Sequence, residues 1–106
     1  MLDVRNKPEL ISEGKIPKSF NVPFPNIRSG AFELPSQSFE KNYGFVKPSY
    51  TDEIVTICSL GTGRAPKAAI ILKNLGYLNV KVYVGGFEDW RENGGKVVKN
   101  GKNLYL

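Results

Sequence analysis

The segment Ile54-Val55-Thr56-Ile57-Cys58-Ser59-Leu60-Gly61-Thr62-Gly63-Arg64-Ala65-Pro66 constrains this chain more than any other. Its β-branched apolar run, over residues 53–58, reads as a buried strand. A glycine-containing loop follows, and beyond it Ala68, Ala69, Ile71, Leu72 and Leu75 recur at helical spacing. Pro66 suits the first turn of that helix and Gly76 its end. Strand, tight loop and helix in direct succession are the core of a βαβ unit.

The flanks repeat the pattern. Met1-Leu2-Asp3-Val4-Arg5 begins like a strand, and Asn6 and Pro8 open a short helix that stops near Gly14. Ser19-Phe20-Asn21-Val22 reads as a second short strand, ended by Pro23 and Pro25. Residues 26–50 are less regular, with a short helix expected between Leu34 and Tyr43, opened near Pro35 or Ser36. Val80-Lys81-Val82-Tyr83-Val84 supplies a further strand, closed by Gly85-Gly86, and a short helix through Phe87, Trp90 and Arg91 comes next. Strands alternating with helices predict an α/β domain with a parallel sheet. In such sheets the binding crevice lies beyond the carboxyl ends of the strands, which is where Cys58 falls. Residues 1–94 are expected to form this domain, and residues 95–106 a tail in which Asn100-Gly101 makes a type I′ hairpin turn.

A chain of 106 residues with 41% hydrophobic and 24% charged content is one ordinary globular domain. No apolar run approaches a membrane span, and the first residues are neither a secretory signal nor an Arg-rich transit segment. A cytoplasmic protein is the default expectation, with the mitochondrion as the other compartment. The net charge of +5 comes from lysines scattered singly, which reads as a solvated surface and not as a nucleic-acid stripe. Such a field would help draw a small anion toward a cleft.

Cys58 is the only cysteine, so no intramolecular disulfide can form. The chain has no histidine at all, which removes Ser-His-Asp and Cys-His activation as well as the commonest zinc ligand. A nucleophilic Cys58 must therefore be activated by backbone dipoles and nearby cations. Its place before a helix start provides both, and a thiol there should ionise more easily than a free one. Gly61 and Gly63 can let the loop curl and turn its amides inward, or can be simple turn residues. Arg64 can hydrogen-bond an anion or brace the loop by pairing with a carboxylate, and the residues alone leave the two open. Ser59 and Thr62 read as solvated loop residues with hydroxyls able to reach an anion. Asp3 and Arg5 read as a structural ion pair beneath the loop, Phe87 and Trp90 as core, and Lys67 and Lys73 as the exposed face of their helix.

Asp3-Val4-Arg5, Gly14-Lys15-Ile16-Pro17-Lys18-Ser19-Phe20-Asn21-Val22-Pro23, the Cys58 loop, Leu75-Gly76-Tyr77 and Gly85-Gly86-Phe87-Glu88-Asp89-Trp90 occur in an order that resembles a rhodanese domain. The resemblance spans residues 1–92 and is greatest to the single-domain thiosulfate sulfurtransferases. It implies a three-layer α/β/α fold around a five-stranded parallel sheet. Cys58 would be the nucleophile, Ser59, Leu60, Gly61, Thr62, Gly63 and Arg64 would supply the loop amides, and Arg64 would be the loop arginine. The implied activity moves sulfane sulfur from thiosulfate, through a Cys58 persulfide, to cyanide or a thiol. The implied partners are a small anionic sulfur donor and a thiol acceptor such as glutathione or thioredoxin; no cofactor, metal, nucleic acid or membrane is implied.

Three features depart from the family pattern. Lys15, Lys18 and Ser19 stand where the family usually has Gly-His-Ile-Pro-Gly-Ala, at a position that is chiefly structural. The Cys58-to-Arg64 loop is one residue longer than sulfur-transferring members usually use. It matches the Cys-x5-Arg spacing of the related phosphatases and arsenate reductases, which is the alternative enzyme reading. Ile57 stands where those phosphatases carry histidine, and the loop lacks their acidic residue, so their leaving group would have no acid. Finally, the chain starts almost on its Asp-Val-Arg strand, without the family's first strand and helix. This predicts an open sheet edge, which residues 96–106 could partly cover, and keeps a catalytically quiet binding module as a third reading.

Overall fold

The computed structural model describes residues 1–60 and 63–99. Four short strands, β1 (Leu2–Asp3), β2 (Phe20–Asn21), β3 (Glu53–Ile57) and β4 (Asn79–Val82), form one sheet in the order β2-β1-β3-β4, and every pairing is parallel. Five α-helices accompany them: α1 (Lys7–Glu13), α2 (Phe24–Arg28), α3 (Ser36–Tyr43), α4 (Arg64–Asn74) and α5 (Gly86–Glu92). The resemblance implied five parallel strands; four are found among the described residues.

Side-chain parity divides the core into two layers, because successive residues of a strand face opposite sides. Leu2 and Val4 of the first strand segment, with Ile54 and Cys58 of the third, join Ala65, Ala68 and Leu72 of α4, Ile27 of α2 and Phe39 of α3. Thr56 lies on this side too, its Oγ1 donating to the Ala65 carbonyl at 2.9 Å. On the other side Ile57 packs with Ile16 and with Phe87 of α5, against partly buried Tyr83, Trp90 and Val97. Phe87 and Trp90 are thus packing residues, as the sequence implied.

Asp3 and Arg5 point to that second side and are buried as a pair. The Arg5 Nη2 and Nε donate to the Asp3 carboxylate at 2.8 and 3.1 Å, and Nη2 also donates to the Gly14 carbonyl at 2.9 Å. The guanidinium lies 3.9 Å from the centroid of the Phe87 ring. One ion pair therefore fastens β1 to the end of α1 and to α5.

The irregular stretch contains more structure than the sequence announced. Pro23 and Pro25 end the second strand but also frame α2, in which Pro25 sits in the first turn, where a missing N–H costs nothing. A single 3-10 turn, Ala31–Glu33, then leads toward α3. The fourth strand is shorter than expected, ending at Val82, although the Tyr83 N–H still donates to the Thr56 carbonyl. Of the tail expected over residues 96–106 to cover part of an open edge, residues 96–99 are described, and these do not pair with an outer strand. Val98 and Lys15 exchange backbone hydrogen bonds at 2.8 and 2.9 Å, so the tail docks on the connection after α1. Apolar packing of Val97 beside Ile16 explains that choice. The proposed Asn100-Gly101 turn lies outside the described residues.

Pro17 and Lys18 occupy the centre of a turn in which the Ser19 N–H donates to the Ile16 carbonyl at 3.1 Å. Lys18 has φ +65°, as a type II turn requires at this position, and among the described residues it is the only non-glycine with positive φ. The family's glycine at this place thus has a backbone reason. Lys18→Gly should raise stability by about 1 kcal/mol by relieving left-handed strain, read as a higher midpoint in urea unfolding. Asp3→Ala should do the reverse, leaving Arg5 buried without its partner at a cost of about 3–5 kcal/mol in the same experiment.

Candidate active site

β1 and β3 are neighbours, but the chain leaves them in opposite directions, toward β2 from one and toward β4 from the other. This makes the crevice at their carboxyl ends a topological switch point, the usual ligand site of an open parallel sheet. α1 leaves β1 there, and the Cys58 loop and α4 leave β3.

Cys58 follows β3 directly, and its even parity turns the thiol toward α4. It is a free, buried cysteine, and the Ala65 N–H from the first turn of α4 donates to Sγ at 3.4 Å. The Thr56 bond to the Ala65 carbonyl, two residues earlier on the same face, fixes the helix start over the sulfur. From the opposite side, the N–H groups of Phe87 and Glu88 in α5 donate to the carbonyls of Cys58 and Ser59 at 2.7 and 3.1 Å. In a planar trans peptide the N–H points opposite to its carbonyl, so the Ser59 and Leu60 amides are turned away from α5. Gly86, with φ +71°, makes the bend that brings those two helix amides onto the loop.

Arg64 is the first residue of α4, and its side chain pairs with a carboxylate of α1. Its Nη1 and Nη2 donate to Oε2 and Oε1 of Glu9 at 2.7 and 2.9 Å, a bidentate brace. Nη2 also approaches Ser59 Oγ at 3.3 Å, and that hydroxyl lies 3.4 Å from Glu9 Oε1. Ser59 is therefore held between two charged side chains and is not simply solvated. The Arg64 bond holds the Glu9 carboxyl below its ordinary range, against some opposing desolvation, and Glu9 in turn raises Arg64, with a smaller contribution from Cys58.

The structure brings Cys58, Ser59 and Arg64 together at one loop, with exposed Leu60 beside them. Gly63, which precedes α4, has φ −128° and ψ −84°. Gly61 and Thr62 lie outside the described residues. Glu9 was missed as a site residue. Its only signal in the sequence is the spacing from Asn6, whose N–H donates to Glu9 Oε2 at 2.7 Å as in a capping box. A groove of about 310 Å³ lies at the amino ends of the strands between Met1, Phe20, Phe45, Pro48 and Ile54, and contains none of these residues.

A parallel α/β domain that presents a lone cysteine beneath a helix N-terminus at its switch point is the class of protein this geometry defines. The Rhodanese-like domain model matches residues 1–93, and the chain belongs to the rhodanese-like family. It is 34% identical over 99 residues to the mitochondrial thiosulfate sulfurtransferase RDL2 of Saccharomyces cerevisiae, covering 93% of this chain and 64% of that protein. It is 31% identical over 93 residues to the human thiosulfate:glutathione sulfurtransferase, covering 87% and 78%. The solved structure of the human single-domain sulfurtransferase TSTD1 superposes with a TM-score of 0.81 at 30% identity, covering 89% of this chain and 81% of that one. Among the described residues no helix is long and apolar enough to cross a membrane.

Because the Glu9 carboxyl titrates lower in the folded chain than unfolded, its pairing stabilises fully above the ordinary glutamate value of about 4.3. That stabilisation is lost as pH falls through the lowered folded-state value. Wild type should therefore exceed Glu9→Gln by about 1 kcal/mol at neutral pH, with the gap closing in acid, as measured by urea unfolding across a pH series.

Proposed function

We propose that this chain is a thiosulfate sulfurtransferase that works through a Cys58 persulfide. The observation that carries the reading is the Ala65 N–H directed at the Cys58 sulfur at the switch point. The names of the yeast and human relatives support the same chemistry. The Cys58 thiolate attacks the outer sulfur of thiosulfate, the sulfur–sulfur bond breaks, and sulfite leaves with the bonding pair. The persulfide anion on Cys58 is then attacked at its terminal sulfur by cyanide or a thiolate, which regenerates the Cys58 thiolate in a double displacement. Charge-assisted bonds from amides at the loop and helix start stabilise the sulfur anion by about 1.5–3 kcal/mol each. Glutathione is the acceptor best supported, by the human relative's name; thioredoxin is the other thiol the chemistry admits.

The phosphatase and arsenate reductase reading is not favoured. Glu9, the carboxylate bonded to the loop, is held ionised by Arg64 and cannot serve as the protonated acid that a leaving group needs. A cytosolic location gains no support from the yeast relative, which is named as mitochondrial.

Incubated with thiosulfate without reductant, the protein should gain the mass of one sulfur atom. It should then lose it to cyanide as thiocyanate, or to glutathione as the persulfide. Cys58→Ser should gain nothing. Hydrolysis of an aryl phosphate with no sulfur gain would replace this reading by the phosphatase one, and failure of both assays in folded protein would favour a binding module.

A further inference from the structure

The Glu9–Arg64 contact spans the two elements that leave the switch point, α1 after β1 and α4 after β3. Each carboxylate oxygen has two partners: Oε2 accepts from Asn6 N–H and Arg64 Nη1, and Oε1 accepts from Arg64 Nη2 and Ser59 Oγ. Ser59 and Arg64 stand at the two ends of the loop that begins at Cys58. A single carboxylate therefore grips both ends, and the Asn6 bond fixes its own orientation. The pair is more than two-thirds buried on both sides, so its geometry is held against solvent exchange. Its charges also cancel locally. Both terminal nitrogens of Arg64 already donate to the Glu9 carboxylate, which takes up the end-on face of the guanidinium.

We propose that Glu9 is a positioning residue of the Cys58 loop, tying its two ends together and withholding the Arg64 guanidinium from the bound anion. The anion is then received by backbone N–H groups, and Arg64 sets the shape of the loop without being a substrate ligand. This rests on the reading of Cys58 as nucleophile but does not require that its substrate be thiosulfate.

Alkylation of Cys58 by anionic iodoacetate and neutral iodoacetamide separates the two roles, since their rate ratio reports the charge that an entering anion meets. Glu9→Ala should raise the ratio several-fold by releasing Arg64. Glu9→Gln, which keeps the shape of the side chain, should raise it in the same sense. Glu9→Ala with Arg64→Met removes a neutral pair and should return the ratio to within about twofold of wild type. If Glu9→Ala and Glu9→Gln leave the ratio unchanged, or the double variant falls well below wild type, Arg64 already serves the anion and the proposal fails. In thiosulfate turnover, Glu9→Ala should lower kcat roughly ten- to hundredfold by loosening the loop, without raising KM. A raised KM with unchanged kcat would overturn the positioning role. If the wild type accepts no sulfur, the functional reading fails, while the alkylation ratios still decide the role of Glu9.

Discussion

Arg5 is fully buried, and much of the site's framework is arranged around it. A guanidinium removed from water costs several kcal/mol unless it is paired and hydrogen-bonded. Asp3, two residues earlier on the same face of the strand, supplies the counter-charge; the Gly14 carbonyl takes another N–H, and the Phe87 ring covers the plane. These partners come from β1, from the end of α1 and from α5. Satisfying one cation thus fixes where two helices meet the sheet. Such a pair is weak evidence for stability, since apolar residues of similar volume often serve as well. Its value here is positional.

The consequences pass directly to the cysteine. α5, held by Phe87 under Arg5, offers its first amides to the carbonyls of Cys58 and Ser59. α1, held at Gly14, presents Glu9 to Arg64 and Ser59. α4, placed by Thr56, presents the Ala65 N–H to the sulfur. Cys58 is therefore approached by three helices that belong to different parts of the chain. The chain has no histidine, so what these helices set around the sulfur are backbone N–H groups and a hydrogen-bonded ion pair.

The strand–loop–helix unit around Cys58 was legible because each signal is local. β-branched residues mark the strand, and apolar spacing with Pro66 and Gly76 marks α4. The Asp3–Arg5 pair was also readable, since two opposite charges at alternate positions of a buried strand can scarcely avoid each other. α2 was missed because Pro23 and Pro25 look like terminators, whereas proline is tolerated where a short helix begins. The docking of the tail on Lys15 was missed as well, because one isolated bridge and an apolar contact at Val97 leave no periodic mark.

Glu9 and Arg64 show the division most clearly. The residues around Cys58 determined a cysteine at the end of a parallel strand before a helix start, because strand parity and helix spacing are written along the chain. They left the role of Arg64 open. Only the tertiary structure supplied its partner, because the carboxylate that engages Arg64 sits on α1, far away in sequence, and reaches it only once β1 and β3 lie side by side. Local sequence determined where the sulfur lies; the pairing of distant strands decided what surrounds it.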